Sequence, residues 1–460
     1  MVSIKRIDDK ISIAITIAGS DSGGGAGIQA DLKTFAALGV HGTTAVTSIT
    51  AQNTSSVIAV EDVKPDMIQK QIMAIVEDMG IDAGKTGMLH TEEIIKTVAS
   101  ELSKHNFPLV VDPVMISKSG AALLKTEAMD AMKEKMLPRA TIVTPNRFEA
   151  EKLADMRIKT MDDAKASAKR ISEMGAYAVV IKGGHLDEEN AVDVLYHKDD
   201  FRLFSSRRFN VKTTHGTGCS FSAAIAAELA KGNDIPNAVE NAKRFISTAI
   251  RFGLSIGKGY GPVNPMARLY RESSRYSVLA NIEEAKVLLE STPAIAKLVP
   301  EVGMNIAMAI PHAEDKNDVA AVDGRIVKTT RGAKAAGIPK FGSSSHLAKY
   351  ILEVSKQNST TRAAINLKFS DETLRALEKR GLQASFYDRR EEPEDIKRVE
   401  GMTIPWGVKQ AIERIGKTPD LIHHRGDVGK EPMIVILGRK ASELAKLATQ
   451  IATEIQSGET

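Results

Sequence analysis

The sequence predicts an α/β protein in which a parallel-sheet sandwich flanked by helices is followed by a second, smaller α/β domain. Short apolar runs alternate with segments of helical spacing, and each run ends in glycine or polar residues. Strands that alternate with helices form parallel sheets covered on both faces. A glycine–proline cluster then interrupts the alternation, and 460 residues exceed one ordinary hydrophobic core.

The elements follow from apolar periodicity in chain order. Buried strands are predicted at 11–18, 40–47, 109–112, 140–144 and 178–181. Helices are predicted at 28–38 and 68–79, and a glycine loop at 21–27. Ligands of such sheets bind at the carboxyl ends of the strands, so the residues after each strand are the candidates for function.

The segment 257–265 is rich in glycine and proline and marks the predicted end of the first domain. We place the two domains at 1–268 and 269–460. A linker helix is predicted over about 269–299, interrupted near Ser273 and Ser274. The second domain has apolar runs at 306–310, 362–369 and 433–437, and an amphipathic helix from Ala441.

The composition excludes several classes of function. Lysine and arginine number 62 against 58 acidic residues, and aromatic residues make up 4%, so nucleic acid is not an expected partner. No apolar stretch approaches the roughly 20 residues that span a bilayer. Residues 1–10 are charged and lack the apolar core of an export signal. The single cysteine suits a reducing compartment, so a cytoplasmic protein is expected.

The turn 214–220 has the composition of a helix N-terminus that binds an anion. Gly216, Thr217 and Gly218 leave backbone N–H groups free to meet phosphate oxygens or developing negative charge. The only cysteine, Cys219, follows them. A thiol at a helix N-terminus can have a lowered pKa and accept a proton. The alternative is a small residue buried at the start of a helix.

Other strand ends carry residues that suit a magnesium nucleotide. Asp112 and Glu149 supply hard carboxylate oxygens of the kind that Mg²⁺ prefers, usually through water. Asn146 precedes a predicted helix, and Lys182 precedes glycines that let a backbone approach a nucleotide. Each residue alone is as consistent with a helix cap, but together with the glycine turn they predict phosphoryl transfer.

The segment 80–86 imitates a phosphate-binding P-loop. It has three residues between its glycines where the P-loop has four, and a helix rather than a strand precedes it. We interpret it as a turn and a strand, with Met88 near the substrate.

Seven motifs follow one another at 17–33, 51–54, 85–89, 112–115, 144–146, 182–185 and 215–219. Through them, residues 11 to about 265 resemble the hydroxymethylpyrimidine/phosphomethylpyrimidine kinases of the ribokinase-like family. The resemblance implies a ribokinase-like fold, ATP and Mg²⁺ as cofactors, and one site that phosphorylates an aminopyrimidine twice. It also implies a homo-oligomer, dimer or higher. Pyridoxal kinase, which shares the fold and the glycine turn, is the main alternative.

The same resemblance assigns roles to residues. Cys219 is the expected base for the substrate hydroxymethyl group, and the helix N-terminus is expected to lower its pKa. The N–H groups of Gly216 and Gly218 would stabilise the transferring phosphoryl group. The amide of Gln52 suits an aminopyrimidine. Further expected contacts are Asp31, Gly19, Met88 and Val114 for the substrate, Lys182, Asn146 and Thr217 for ATP, and Asp112 and Glu149 for the metal.

In the second half, a glycine and three serines at 342–345 precede a predicted helix. Ser343, Ser344 and Ser345 could cradle an anion at that helix N-terminus, or could merely cap the helix. Arg325 and Lys430 could neutralise a diphosphate.

The segments 301–305, 318–327, 342–346 and 426–432 carry a second resemblance, to the archaeal-type thiamin-phosphate synthase domain. That family joins hydroxymethylpyrimidine diphosphate to hydroxyethylthiazole phosphate and releases pyrophosphate, so the expected partners are small molecules. Arg325 and His346 are the expected essential residues, supported by Asp427, Lys430 and the three serines. The domain also resembles ligand-sensing modules of thiamin-responsive repressors, so a kinase with a non-catalytic sensor is the alternative.

Overall fold

The computed structural model describes residues 11–116, 120, 123–183, 189–399, 401–427 and 429–458. The chain divides into two compact units, Met1–Leu269 and Tyr270–Thr460. Within the described ranges, no helix is long and apolar enough to cross a bilayer.

The first unit contains one sheet. Its strands are β1 (Ile13–Asp21), β2 (His41–Gln52), β3 (Val57–Asp62), β4 (Ala83–Thr86), β5 (Leu109–Val111), β6 (Ile142–Val143), β7 (Ala178–Ile181), β8 (Asn190–His197) and β9 (Asp200–Arg207). They lie in the order β3-β2-β1-β4-β5-β6-β7-β8-β9. Pairing is parallel from β2 to β7 and antiparallel for β3, β8 and β9.

Helices cover both faces of this sheet. They are α1 (Gly27–Ala37), α2 (Pro65–Met79), α3 (Glu92–Leu102), α4 (Met129–Ala131), α5 (Arg147–Ala154), α6 (Met161–Ser172), α7 (Thr217–Ala230) and α8 (Ile235–Arg251). Alternate strand residues enter two different cores: in β7, Val179 and Ile181 join one core and Ala178 and Val180 join the other. Successive side chains of a strand point to opposite faces, so a strand such as β7, whose two faces both enter a core, is apolar throughout.

The parallel centre of the sheet confirms the predicted fold class, and the segment 80–86 is a turn followed by the central strand β4. The edges of the sheet differ from this parallel centre, because β3, β8 and β9 pair antiparallel and were not predicted as strands. Strand β9 alternates between exposed and half-buried residues, so it lacks the continuous apolar run by which the buried strands are recognised.

The second unit also combines strands and helices. Its strands are β10 (Ile306–Ala309), β11 (Val319–Val322), β12 (Ile326–Thr329), β13 (Gly332–Ala335), β14 (Pro339–Phe341), β15 (Ala363–Lys368), β16 (Ala384–Phe386), β17 (Leu421–His424) and β18 (Met433–Gly438). The main sheet has the order β14-β11-β10-β15-β18-β17-β16, and β12 pairs with β13. Only β16 and β17 pair in parallel among the described strands of this unit.

The helices of this part are α9 (Ala267–Ser291), α10 (Ser345–Ser355), α11 (Asp371–Lys379), α12 (Glu394–Lys397), α13 (Thr403–Ile415) and α14 (Ala441–Ser457). Helices α9 and α14 pack on one face of the sheet, and α10 and α13 pack on the other. The predicted interruption of the linker helix is wrong. Helix α9 runs through Ser273 and Ser274, whose hydroxyls both donate to the Tyr270 carbonyl of the same helix, so neither serine ends it.

Candidate functional site

The glycine loop after β1 and the glycine turn before α7 lie against each other. Gly216 caps α7 with a φ of +77°, a conformation that glycine adopts without strain. A Cβ at this position would overlap the carbonyl oxygen of Gly25. Further along α7, Ser222 donates to Asp112, with 3.2 Å between Oγ and Oδ2. The turn therefore meets the ends of β1 and β5.

Cys219 lies beside a buried ion pair that sequence reasoning missed. Lys85 Nζ is 2.8 Å from Asp31 Oδ2, and both side chains are fully buried. Thr16 also donates to Asp31, at 2.6 Å. Asp31 was expected to bind substrate, but its burial in this pair leaves it no surface for that contact. A lysine inside a predicted strand was the available signal, and the resemblance of 80–86 to a P-loop obscured it.

The pKa of Cys219 departs from the expectation in direction. Burial raises the pKa of the thiol to about 11, and the charges of Asp31 and Asp112 also raise it; Lys85 and the Gly27 N–H oppose them. The expected lowering by the helix N-terminus is therefore wrong for the free protein. Desolvation disfavours the thiolate more than the nearby cation and backbone donor favour it.

Lys182 lies between two carboxylates, that of Asp112 directly after β5 and that of Glu149 in the first turn of α5. Its Nζ is 3.1 Å from Asp112 Oδ1 and 4.0 Å from Glu149 Oε2. A Cβ on Gly218 would lie 3.3 Å from the same Nζ. Burial, opposed by the charge of Lys182, raises the pKa of Glu149 to about 7. The predicted nucleotide and metal residues thus converge on the glycine turn.

Two of the residues predicted to contact ATP form hydrogen bonds within the protein. Asn146 caps α5 through a capping box, in which its Oδ1 accepts from Glu149 N and its N donates to Glu149 Oε2. Thr217 Oγ1 donates to the Thr214 carbonyl at 2.8 Å. Among the described residues, no group of three acidic, histidine or cysteine side chains is arranged to hold a metal ion. A metal here would need ligands from a bound nucleotide and water.

The predicted pyrimidine contacts lie near the same edge. A Cβ on Gly19 would lie 3.1 Å from Met88 Sδ, so these two residues touch. Met88 is buried, and Val114, which follows Asp112, is half-buried. The half-buried Gln52 ends β2, with its Nε2 3.3 Å from His215 Nε2.

His215 and Asp21 connect the pyrimidine side of the site to the glycine turn. His215 Nε2 is 3.0 Å from Asp21 Oδ2, and Asp21 accepts from the N–H groups of Gly23, Gly25 and Ala26. Burial alone would raise the pKa of Asp21, but these hydrogen bonds bring it below its ordinary value. Both residues were inside recognised motifs, yet sequence alone gave no reason to pair positions 194 apart.

A second buried ion pair holds the turn after Lys182. Asp193 of β8 accepts from Gly183 N at 2.9 Å and pairs with Lys243 of α8, also at 2.9 Å. We predict that Lys243→Met will lower the free energy of unfolding of the first unit by about 3 kcal/mol, because it leaves the Asp193 carboxylate buried without its cation. Urea unfolding would measure this. Lys243→Met with Asp193→Asn should recover most of the loss, and equal stability of all three proteins would refute the prediction.

In the second unit, the serine run caps α10. Ser344 is the N-cap and accepts from Leu347 N, while Ser343 donates to Asp323 at 3.2 Å. Ser345 is exposed. The hydroxyls of Ser343 and Ser344 are therefore engaged within the protein, and the backbone N–H groups at the start of α10 are what the turn offers to an anion.

The structure brings His346 within electrostatic range of Arg325. Burial, together with the charges of Arg325, Lys349 and Arg389, lowers the pKa of His346 to about 4. The side chain of Arg325 passes over Gly303, where a Cβ would lie 2.9 Å from its Cδ. The imidazole is thus neutral and surrounded by cations.

Asp427 and Lys430 lie together in an exposed turn. Asp427 N donates to the Lys430 carbonyl at 3.1 Å, and Lys430 N donates to the Asp427 carbonyl at 2.8 Å. The same turn is linked to the segment before β10, since Glu431 accepts from the N–H groups of Glu301 and Val302.

Comparison with known proteins agrees with this geometry in both units. The family model of phosphomethylpyrimidine kinase matches residues 21–264, and that of thiamine-phosphate synthase ThiN matches residues 281–450. The hydroxymethylpyrimidine/phosphomethylpyrimidine kinase of Bacillus subtilis is 47% identical over 256 residues, which are 55% of this chain and 94% of that kinase. An ADP complex of Bacillus subtilis pyridoxal kinase has a TM-score of 0.54 and 42% identity, covering 56% of this chain and 99% of that one.

One relative matches along both units. The bifunctional thiamine biosynthesis protein ThiDN of Methanocaldococcus jannaschii is 34% identical over 436 residues, which are 94% of this chain and 97% of that protein. The chain therefore belongs to the phosphomethylpyrimidine kinase family, in the bifunctional form that carries a thiamine-phosphate synthase domain behind the kinase.

Proposed function

We propose that this protein is a bifunctional enzyme of thiamin biosynthesis. The first unit phosphorylates 4-amino-5-hydroxymethyl-2-methylpyrimidine to its monophosphate and then to its diphosphate, with ATP as donor. The second unit couples the diphosphate to hydroxyethylthiazole phosphate, giving thiamin phosphate and pyrophosphate. The match to a bifunctional relative over 94% of the chain carries this proposal.

In the first phosphorylation, the thiolate of Cys219 would take the proton of the substrate hydroxyl while the hydroxyl oxygen bonds to the γ-phosphorus of ATP and the bond from that phosphorus to ADP breaks. The N–H groups of Gly216 and Gly218 at the start of α7 would face the transferring group, and Lys182 Nζ lies near Gly218. Catalysis of phosphoryl transfer consists mainly of such positioning and charge stabilisation. The buried ion pair of Lys85 and Asp31, which acts electrostatically on Cys219, would help to position its thiol.

Magnesium fits the same residues. Asp112 and Glu149 have carboxylates near enough to share one cation, the Lys182 ammonium group. We propose that they hold Mg²⁺ through water when the nucleotide binds, and that the metal neutralises charge on the phosphates. Gln52, Gly19, Met88 and Val114 would contact the pyrimidine.

In the coupling reaction, the aminopyrimidine ring can push electrons to expel diphosphate, so the protein needs mainly donors around the leaving group. Arg325 and His346 are proposed to bind that group, with the N-terminus of α10 at Ser343–345 beside them. Asp427 and Lys430 are proposed to support the pocket. A sensor without catalysis is not favoured, because the relative that spans both units is a biosynthetic protein.

We further propose a boundary between the two activities at residues 268 and 269, a cytoplasmic location and a homo-oligomer. The single thiol suits a reducing compartment. Light scattering of the purified chain would measure its oligomeric state.

One reaction tests both activities. The full chain is incubated with the pyrimidine alcohol, hydroxyethylthiazole phosphate, ATP and Mg²⁺, and all products are separated. Thiamin phosphate is the expected product. Pyrimidine diphosphate that accumulates without thiamin phosphate would refute the synthase assignment and leave the kinase. A parallel reaction with pyridoxal should proceed much more slowly than with the pyrimidine, and faster turnover of pyridoxal would refute the proposed kinase substrate.

A further inference from the structure

A cluster of aromatic and basic side chains extends from His346 and Tyr350 on α10 to Tyr387, which follows β16, and His424 of β17. The His346 and Tyr350 rings are 5.4 Å apart, the Tyr350 and Tyr387 hydroxyls are 2.9 Å apart, and the Tyr387 and His424 rings are 5.2 Å apart. Arg389 acts electrostatically on all four of these side chains. We call these five residues the Arg389 cluster.

Two nitrogens of this cluster have no protein partner. Within the described part of the chain, His346 Nε2 and Arg389 Nε are buried and form no hydrogen bond. The neighbouring Arg390 differs completely: its side chain is largely exposed and pairs with Asp388 at 2.5 Å. Burying a polar or charged group without a partner is costly. A bound ligand that accepts a hydrogen bond from Arg389 Nε would remove this cost.

The charge around the cluster is positive. Burial and the charge of Arg389 lower the pKa of His424 to about 4, as they do for His346, so both imidazoles are neutral at physiological pH. Arg325 and Lys349 also act on His346. The buried carboxylate of Glu392 acts on Tyr387. Three cations act on this part of the cluster against one carboxylate, which favours an anionic ligand.

We propose that Arg389, together with His346 and His424, binds a phosphate or diphosphate group in the second unit. This inference rests on the proposed synthase function, because the reaction offers two such groups, the diphosphate of the pyrimidine and the phosphate of the thiazole. Arg389 supplies a planar donor fork that matches phosphate oxygens. The neutral imidazoles supply N–H donors that do not depend on protonation.

Arg389→Ala and Arg390→Ala, each in the full chain, form a matched pair for the test. Inorganic pyrophosphate is titrated calorimetrically while a non-hydrolysable ATP analogue fills the nucleotide site. We expect binding about 10- to 100-fold weaker for Arg389→Ala, which is the loss of a charge-assisted hydrogen bond, and within about twofold of the parent for Arg390→Ala. Equal binding by both variants would overturn the proposal.

Thermal melting separates a ligand role from a structural one. Because Arg389 Nε has no protein partner, Arg389→Ala should melt no lower than the parent. If it does melt lower, Arg389→Gln, which keeps most of the packed length, replaces it in the titration. Binding of pyrophosphate by Arg389→Gln at parental strength would likewise overturn the proposal.

Coupling kinetics identify the group that is bound. With Arg389→Ala, a rise of about 10-fold or more in KM for one substrate assigns Arg389 to the phosphate of that substrate. Unchanged KM for both substrates with unchanged kcat would refute the assignment. A parent chain that makes no thiamin phosphate refutes the proposed function instead, and the pyrophosphate titration still decides whether Arg389 binds an anion.

Discussion

Cys219→Ala should slow the first phosphorylation by about 10²- to 10⁴-fold, the range that general bases contribute, and slow the second by less than about 10-fold. The first step must remove a proton from an alcohol. The second starts from a phosphate monoester, which is already largely ionised at neutral pH because its second pKa is about 6. The thiol is therefore needed for one step and not for the other. Separate single-turnover assays with the alcohol and with the monophosphate would measure both.

The pH dependence of the parent enzyme provides an independent check. With the pKa of Cys219 at about 11, only about one thiol in 10⁴ is ionised at pH 7. The thiolate fraction then rises about tenfold per pH unit, so kcat/KM for the alcohol should increase from pH 7 to pH 9. Cys219→Ser should lose this rise. A flat profile in the parent, or near-parental first-step rates in Cys219→Ala, would show that Cys219 is not the base.

His346→Ala should reduce coupling by about 10- to 100-fold or more and leave both phosphorylations unchanged. Its imidazole lies at the start of α10 with Nε2 buried and unpartnered among the described residues, and hydrogen bonds to charged groups contribute about 1.5–3 kcal/mol. Coupling is measured from supplied pyrimidine diphosphate and thiazole phosphate. Cys219→Ala is the matched control, because it should couple at the parental rate.

The pH dependence of coupling distinguishes a His346 that donates a hydrogen bond from a His346 that acts as a general acid. Because its pKa is lowered to about 4, the imidazole is neutral between pH 6 and pH 8, and a hydrogen-bond donor predicts a coupling rate that is flat across this range. His346→Gln retains an N–H donor and should recover part of the activity. A rate that falls tenfold per pH unit in the parent, with no recovery in His346→Gln, would contradict the donor role and indicate an acid.

The sequence determined the class of the molecule because that information is local. Buried strands read as continuous apolar runs, and a glycine turn before a run of small residues reads as a helix N-terminus. The parallel centre of the first sheet and the α/β class of the second unit were predicted in this way, and the two family memberships were predicted from the resemblance of short motifs to known families. The edge strands were not, because β9 alternates in exposure and lacks the apolar run.

The tertiary structure alone decided which side chains act on one another. Burial, and not the helix N-terminus, decides that the pKa of Cys219 is raised. The charges of Asp31 and Asp112 raise it further and that of Lys85 lowers it, and all three residues come from other parts of the chain. Asp31 was predicted to contact the substrate, but in the structure it is buried and pairs with Lys85, 54 positions away. Arg389 and Arg390 are adjacent and chemically identical, yet Arg389 is half-buried with its Nε buried and without a hydrogen bond among the described residues, whereas Arg390 is exposed and paired with Asp388. Desolvation and long-range pairing depend on the packed chain, so no local pattern in the sequence could reveal them.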